Sequence, residues 1–307
     1  MDSLDRAKGA LLGLAVGDAL GVPLEFEERD VHPLVTEMIG GGPFDLKPGE
    51  WTDDTSMALC LADALIANPQ LDERDLMRRF VRWWRKGENS VKGICFDIGM
   101  ATESALSRFE ETGEVVINAD PNRAGNGSLM RLAPVAMVAG GDVDLAADLA
   151  RRQSACTHGA PVCLDACSLY AELLVEAIAG APKREVLGRR PVLFGHDDVA
   201  VIALGSYRVK KRHEIRSTGF VLDTLEAALW AIWNSDSFEE ALVNAVNLAG
   251  DADTVGAATG QLAGAIYGTS NIPQRWLDAL LHRGSLEDRA RALAKLPNSP
   301  SARPTCG

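Results

Sequence analysis

Two short acidic clusters hold the densest chemistry in this chain of 307 residues: Thr52-Asp53-Asp54-Thr55 and Asp251-Ala252-Asp253-Thr254. Each precedes a run of apolar or small residues at helical spacing, which puts it at or near a helix N-terminus. There Asp and Thr cap free backbone N–H groups, and a carboxylate complements the helix dipole. One Asp per helix satisfies that need; two in each cluster, with hydroxyl residues alongside, exceed it. If the clusters converge, four carboxylates share a small volume, and protonation or bound cations must relieve their repulsion. Oxygen ligands without a nearby His or Cys select hard divalent ions, Mg2+ or Mn2+ with Ca2+ as a further option, over zinc or copper. Spacing alone does not bring together residues almost 200 positions apart, so the residues by themselves define a candidate metal site.

Other polar residues of interest stand beside glycine, of which the chain has 29. The clusters are Gly17-Asp18 with Gly21, Gly125-Asn126-Gly127-Ser128, His158-Gly159, and Gly250-Asp251 with Gly256 and Gly260. Glycine disfavours a helix interior, so this pattern implies that backbone approaches a ligand or another backbone closely. On local sequence the stretch Gly125 to Met130 is a tight loop opening a core helix, because Leu129, Leu132 and Val135 continue apolar at helical intervals. His158 reads as a cap or structural hydrogen-bonder, and Asp97 as a cap for the helix containing Met100, Ala101 and Leu106. Glu25 reads as a surface carboxylate in an acidic run that continues to Glu27 and Glu28.

The elements that must position these groups are helical. Met57, Cys60, Leu61, Ala64 and Leu65 follow the i, i+3, i+4, i+7, i+8 pattern; Leu76, Phe80, Trp83 and Trp84 repeat it, as do Phe238, Ala241, Leu242, Ala245 and Val246. Asp72 and Ser237 stand where N-caps belong, and Glu240 completes a capping box with Ser237. Strand signals are confined to Gly113–Asn118 and Pro191–Leu204. With no mid-chain linker and no fixed repeat, the prediction is one all-helical domain over 1–296 and a frayed tail over 297–307. Lys183 to Ser217 is the other irregular region; its basic run Tyr207 to Arg216 reads as a solvated loop, with a phosphate- or partner-binding role as the alternative.

A net charge of −12 and a pI near 4.9 argue against a nucleic acid or an anionic membrane as the main partner. The apolar run Ala10–Val16, broken by Gly13, is far short of the roughly 20 residues of a membrane span. The N-terminus opens acidic, and six cysteines scatter without a C-x-x-C pair, so reduced thiols in a cytoplasmic protein are expected.

Five blocks, in order, resemble the signatures of the ADP-ribosylglycohydrolase family: Gly17-Asp18-Ala19-Leu20-Gly21, Thr52-Asp53-Asp54-Thr55, Gly125-Asn126-Gly127-Ser128-Leu129-Met130-Arg131, Thr157-His158 and Gly250-Asp251-Ala252-Asp253-Thr254-Val255-Gly256. The likeness runs from Asp5 to about Trp276. Within the family, Ile39-Gly40-Gly41-Gly42 with Lys47-Pro48-Gly49, and Val246-Asn247, resemble the bacterial dinitrogenase reductase-activating type. The resemblance implies an all-α orthogonal bundle with two divalent cations, Mg2+ or Mn2+, in a cleft. By position it implies Thr52, Asp53, Asp54, Asp251, Asp253 and Thr254 on the metals, Glu25 close to them, and Asp18 supporting a helix rather than ligating. The loop Gly125, Asn126, Gly127, Ser128, Leu129, Met130 would cradle the diphosphate of ADP-ribose with backbone N–H groups, and His158 would lie near the ribose or adenine.

Asp97 matches an acidic residue that the arginine-specific bacterial enzymes use in acid/base work, although its flanking residues depart from their pattern. The activity implied is metal-dependent hydrolysis of the N-glycosidic bond between ADP-ribose and an arginine of a modified protein, with ADP-ribose released. Asp97 or Glu25 would manage the proton. The alternatives are another ADP-ribosyl linkage (serine, nucleobase or 1″-phosphate), a metal-dependent nucleotide phosphatase, or a non-catalytic ADP-ribose-binding relative.

Overall fold

The computed structural model describes residues 2–116, 124–190 and 195–296. Among these the chain forms α1 (Ser3–Gly21), α2 (Asp53–Ala67), α3 (Glu73–Lys86), α4 (Met100–Thr112), α5 (Ala133–Ala139), α6 (Val143–Ala155) and α7 (Pro161–Ala179). There follow α8 (Lys183–Val186), α9 (Asp197–Ala203), α10 (Val221–Trp233), α11 (Phe238–Val246), α12 (Ala252–Tyr267), α13 (Gln274–Ala279) and α14 (Arg283–Ala294). No sheet forms among the described residues; three isolated bridges join Glu25 to Gly250, Gly41 to Leu46 and Gly125 to Phe220. The fold is all-α, as expected.

Helices α1 and α12, from opposite ends of the chain, make the most extensive helix pair. Glycines recur every fourth residue on their facing sides, at Gly9, Gly13, Gly17 and Gly21 on α1 and at Gly256, Gly260 and Gly264 on α12. A Cβ at Gly13 would overlap the carbonyl oxygen of Gly260, and one at Gly17 that of Gly256, so the backbones meet without intervening side chains. The helix penalty of about 1 kcal/mol per glycine is offset by this close packing. Every residue of α1 from Ala10 to Gly21 is buried. Length and composition would let α1 cross a membrane, yet 89% of its apolar window lies inside the protein, and an all-round apolar helix is what a core position requires.

Local signals start and stop several elements as anticipated. Asp72 caps α3 by accepting from the Arg74 and Asp75 N–H groups, and Gly87, at φ 67°, ends it in the left-handed conformation. Ser237 caps α11 by accepting from the Glu240 N–H, but the Glu240 carboxylate accepts from Asp236 N–H rather than from Ser237, so the capping box is half made. The strand expectations fail. Gly113–Val116 is irregular and Asp197–Ala203 is α9. Val199, Ile202 and Ala203, which suggest an extended apolar run, bury at helical spacing, and Asp197 and Asp198 favour a helix start. Ile117, Asn118, Pro191–Phe194 and the expected tail Pro297–Gly307 lie outside the described residues.

The basic run is a braced surface segment. Lys210 pairs with Glu226, Arg212 with Asp30, and Arg216 with Asp223. Arg29 donates to the carbonyls of Arg212 and Ile215, tying the run to the chain that follows α1. These contacts fit the solvated-loop reading and hold the residues after Arg216 at one edge of the cleft described next.

Candidate metal centre and ligand cleft

The cleft starts from a capping substitution. Thr52, the N-cap of α2, makes no side-chain capping bond. Asp18, buried in the last turn of α1, does that work instead. It accepts from Thr52 N (2.9 Å) and Thr55 N (3.0 Å), and from the Thr55 hydroxyl (2.6 Å). With α2 capped from outside, the carboxylates of Asp53 and Asp54 are released from that duty. The α1–α12 glycine contact then sets the start of α12 beside the start of α2, and the two acidic clusters meet. Thr52 Oγ1 lies 3.1 Å from Asp54 Oδ2 and 3.2 Å from Asp253 Oδ2, and Thr254 Oγ1 lies 3.4 Å from Asp54 Oδ2.

Glu25 and Asp97 close the cluster. Glu25 follows a 3-10 turn after α1, and its strand-like pairing with Gly250, where Phe26 N–H donates to the Gly250 carbonyl at 2.6 Å, places it against the start of α12. Asp97 does not cap α4; Gly99 is the N-cap, without a side-chain bond. Asp97 adopts φ 58° and turns its carboxyl to Glu25, with which it shares a hydrogen bond. Carboxylate oxygens of Asp18, Asp54 and Asp253 gather within 4.8 Å of one another, and so do those of Glu25, Asp97 and Asp253.

This concentration of charge alters proton affinity. Burial, then Asp97, Asp251 and Asp18, push Glu25 up to about 9. Burial, then Asp18 and Asp251, push Asp97 up to about 8. Asp53, Asp54 and Asp253 rise well above the usual carboxylate range for the same reasons, burial first and neighbouring carboxylates second. Asp18 rises only to about 6, because four donors from Thr52 and Thr55 oppose its burial. Buried oxygens Glu25 Oε2, Asp54 Oδ1 and Asp253 Oδ1 have no hydrogen-bond partner. An all-oxygen donor set with orphaned buried oxygens and excess negative charge fits hard divalent cations.

A cavity of about 1080 Å³ opens over this floor. Of the residues singled out in the sequence, Glu25, Asp53, Asp97, Asp251, Asp253, Thr254, Gly125, Asn126, Gly127, Met130 and His158 line it. Thr52 and Asp54 are fully buried beneath. Ser128 and Leu129 do not reach it; the Ser128 hydroxyl bonds that of Ser154, and Leu129 belongs to the core. The amides of Asn126, Leu129 and Met130 donate to protein carbonyls, of Gly219 in the first case and Asn126 in the other two. Asn126 also donates to Asp251 Oδ2 (2.6 Å) and to Thr224 Oγ1 (2.8 Å), linking the glycine loop to the acidic floor. The sequence reading missed the segment Ser217-Thr218-Gly219-Phe220, which lines the cavity alongside the loop and pairs with it through the Gly125–Phe220 bridge. Its Ser-Thr-Gly composition directly before α10 was a usable loop signal. Phe26, 70% exposed, and Met100, 88% exposed, stand at the mouth.

The family profile described as ADP-ribosylglycohydrolase matches residues 1–303. The chain is 46% identical, over 95% of its length and 80% of the relative's, to the ADP-ribosylarginine hydrolase Tri1 of Serratia proteamaculans (strain 568). It is 34% identical, over 90% of each chain, to the ADP-ribosyl-[dinitrogen reductase] glycohydrolase of Rhodospirillum rubrum. A solved structure titled an ADP-ribosylglycohydrolase-related protein complex superposes with a TM-score of 0.84 at 44% identity, covering 96% of this chain and 99% of that one.

Proposed function

The chain belongs to the ADP-ribosylglycohydrolase family, and on that premise we propose that it hydrolyses the bond between ADP-ribose and an arginine side chain of a modified protein. The observation that carries the reading is the convergence of both acidic clusters with the Glu25–Asp97 pair on the floor of one cleft. The names of relatives such as the Serratia enzyme support arginine as the linked residue.

Thr52, Asp53, Asp54, Asp251, Asp253 and Thr254 would hold two cations, Mg2+ or Mn2+, and the orphaned oxygens of Asp54 and Asp253 support that assignment. Bound there, the cations supply an activated water and a counter-charge for ribose oxygens. The chain's own groups do the rest. Gly125 and Gly127 leave the His158 ring room against the loop, and the amide of Gly127, which lines the cavity and has no protein acceptor among the described residues, serves the diphosphate. Burial and neighbouring carboxylates raise the proton affinity of both Glu25 and Asp97, which makes this hydrogen-bonded pair the proton-holding group of the cleft. Asp97, lining the cavity, delivers that proton to the departing guanidine nitrogen, and the pair recovers it from the attacking water. The five free cysteines among the described residues support a reducing, cytoplasmic setting.

The test offers purified protein defined arginine-, serine- and 1″-phosphate-linked ADP-ribose and a generic phosphate ester, with Mg2+ or with EDTA. Release of ADP-ribose from the arginine linkage, lost in EDTA, is expected. Preference for another linkage or for the phosphate ester, or full activity in EDTA, would overturn the proposal.

A further inference from the structure

We infer that Arg131 and Thr157 set His158 as a neutral donor, its proton on Nε2, for an oxygen of the ADP-ribosyl group, and that His158 is therefore not a metal ligand. Arg131 is completely buried between the glycine loop and α5. Its Nε–H donates to Gln153 Oε1 (2.8 Å) and its Nη2 to the Gln153 carbonyl (3.1 Å) and to Thr157 Oγ1 (2.8 Å), while the Phe80 ring lies 4.5 Å from the guanidinium carbon. A guanidinium only donates, so the Thr157 oxygen accepts from it and its own proton goes elsewhere. Among the described residues the remaining partner of that oxygen is His158 Nδ1, 2.8 Å away. Nδ1 is thus the acceptor, and a neutral imidazole with a bare Nδ1 carries its hydrogen on Nε2. The opposite tautomer would crowd two donors onto one hydroxyl and leave that buried hydroxyl's proton unpaired, at a cost no other contact relieves.

The ring is also fixed in position. His158 N–H donates to the Ser154 carbonyl (2.7 Å), and the Ser154 hydroxyl donates to the His158 carbonyl (2.9 Å). A Cβ on Gly127 would come within 2.8 Å of His158 Cε1, and one on Gly125 within 3.3 Å of Nε2, so these glycines leave the imidazole edge room against the loop. Burial and the nearby Arg131 cation hold the ring down to about 3, which keeps it neutral. With Nδ1 engaged by Thr157 and Nε2 protonated, no ring lone pair is left for a cation. What the cavity meets is an N–H, of the same chemistry as the Gly127 amide beside it, which has no protein acceptor among the described residues. Arg131 and Thr157 are positioning residues that act through His158.

The proposal rests on the proposed function only for the identity of the ligand, and the test separates the two. In 15N-histidine-labelled protein the ring nitrogens of His158, one of five histidines, are assigned by their loss in His158→Gln. At neutral pH the expected pattern is protonated Nε2 and bare Nδ1, unchanged by Mg2+ and retained in Thr157→Ser. Thr157→Val is expected to mix the tautomers and to weaken binding of free ADP-ribose, read by calorimetry, roughly tenfold. A wild-type ring protonated on Nδ1, loss of the Nε2 proton on adding Mg2+, or a Thr157→Val protein with unchanged spectrum and affinity would overturn it. If Thr157→Val fails to fold, the wild-type and Thr157→Ser spectra decide alone. Ring-nitrogen shifts need neither turnover nor a particular linkage, so a wrong linkage would leave this result standing.

Discussion

A non-glycine residue at φ 58° sits in a left-handed conformation that costs of order 1 kcal/mol, and Asp97 accepts it at the point where its carboxyl meets Glu25. Asp97→Asn keeps the shape and removes the transferable proton. Steady-state assays on the arginine-linked substrate should show kcat lower by about 10²–10⁴, with free ADP-ribose affinity retained; an undiminished kcat would discard the role. Asp53→Asn and Asp251→Asn should each abolish stoichiometric Mg2+ binding by calorimetry while the far-UV spectrum stays helical. The ligand types in both acidic clusters were legible because oxygen-donor chemistry resides in the side chains themselves. The capping duty of Asp18 was legible only in outline, since its partners, Thr52 and Thr55, lie more than 30 residues away. The cap reading of Asp97 was wrong because backbone conformation, invisible in residue type, aims its carboxyl away from α4.

Among elements, the α1–α12 contact is the one on which the site depends. Gly13→Ala or Gly260→Ala forces a methyl group into a facing carbonyl, and urea unfolding should show a loss of about 3 kcal/mol or more. Gly284→Ala, near the start of α14 where a Cβ meets open space, is the control and should be neutral or stabilising by up to about 1 kcal/mol. Equal behaviour of the two would remove the close-packing account. Helices α3 and α11 could be read from the chain because their caps and apolar stripes are local. The α9 segment was misread because a short apolar run has no period long enough to tell helix from strand.

For the whole molecule, the acidic floor couples stability to pH and to cations. Glu25, Asp97 and Asp18 bind protons more tightly folded than their ordinary values of 4.5, 3.8 and 3.8, at about 9, 8 and 6. The folded state therefore holds more protons than the unfolded one across that window. The contribution is complete below the ordinary values and is lost as pH rises through the folded ones. In EDTA the melting temperature should fall between about pH 6 and pH 9, and saturating Mg2+, which binds only the folded state, should raise it and flatten the fall. A melting temperature in EDTA that climbs over that range would contradict the raised proton affinities. Residue type and short-range spacing by themselves determined the helical class, the caps and the oxygen-rich donor set, because those depend on neighbours within a few residues. The meeting of clusters almost 200 positions apart, the Glu25–Asp97 pair and the Ser217–Phe220 wall were decided by tertiary structure alone. Distance and desolvation, which set both ligand geometry and proton affinity, are properties of what packs around a residue and not of the residue itself.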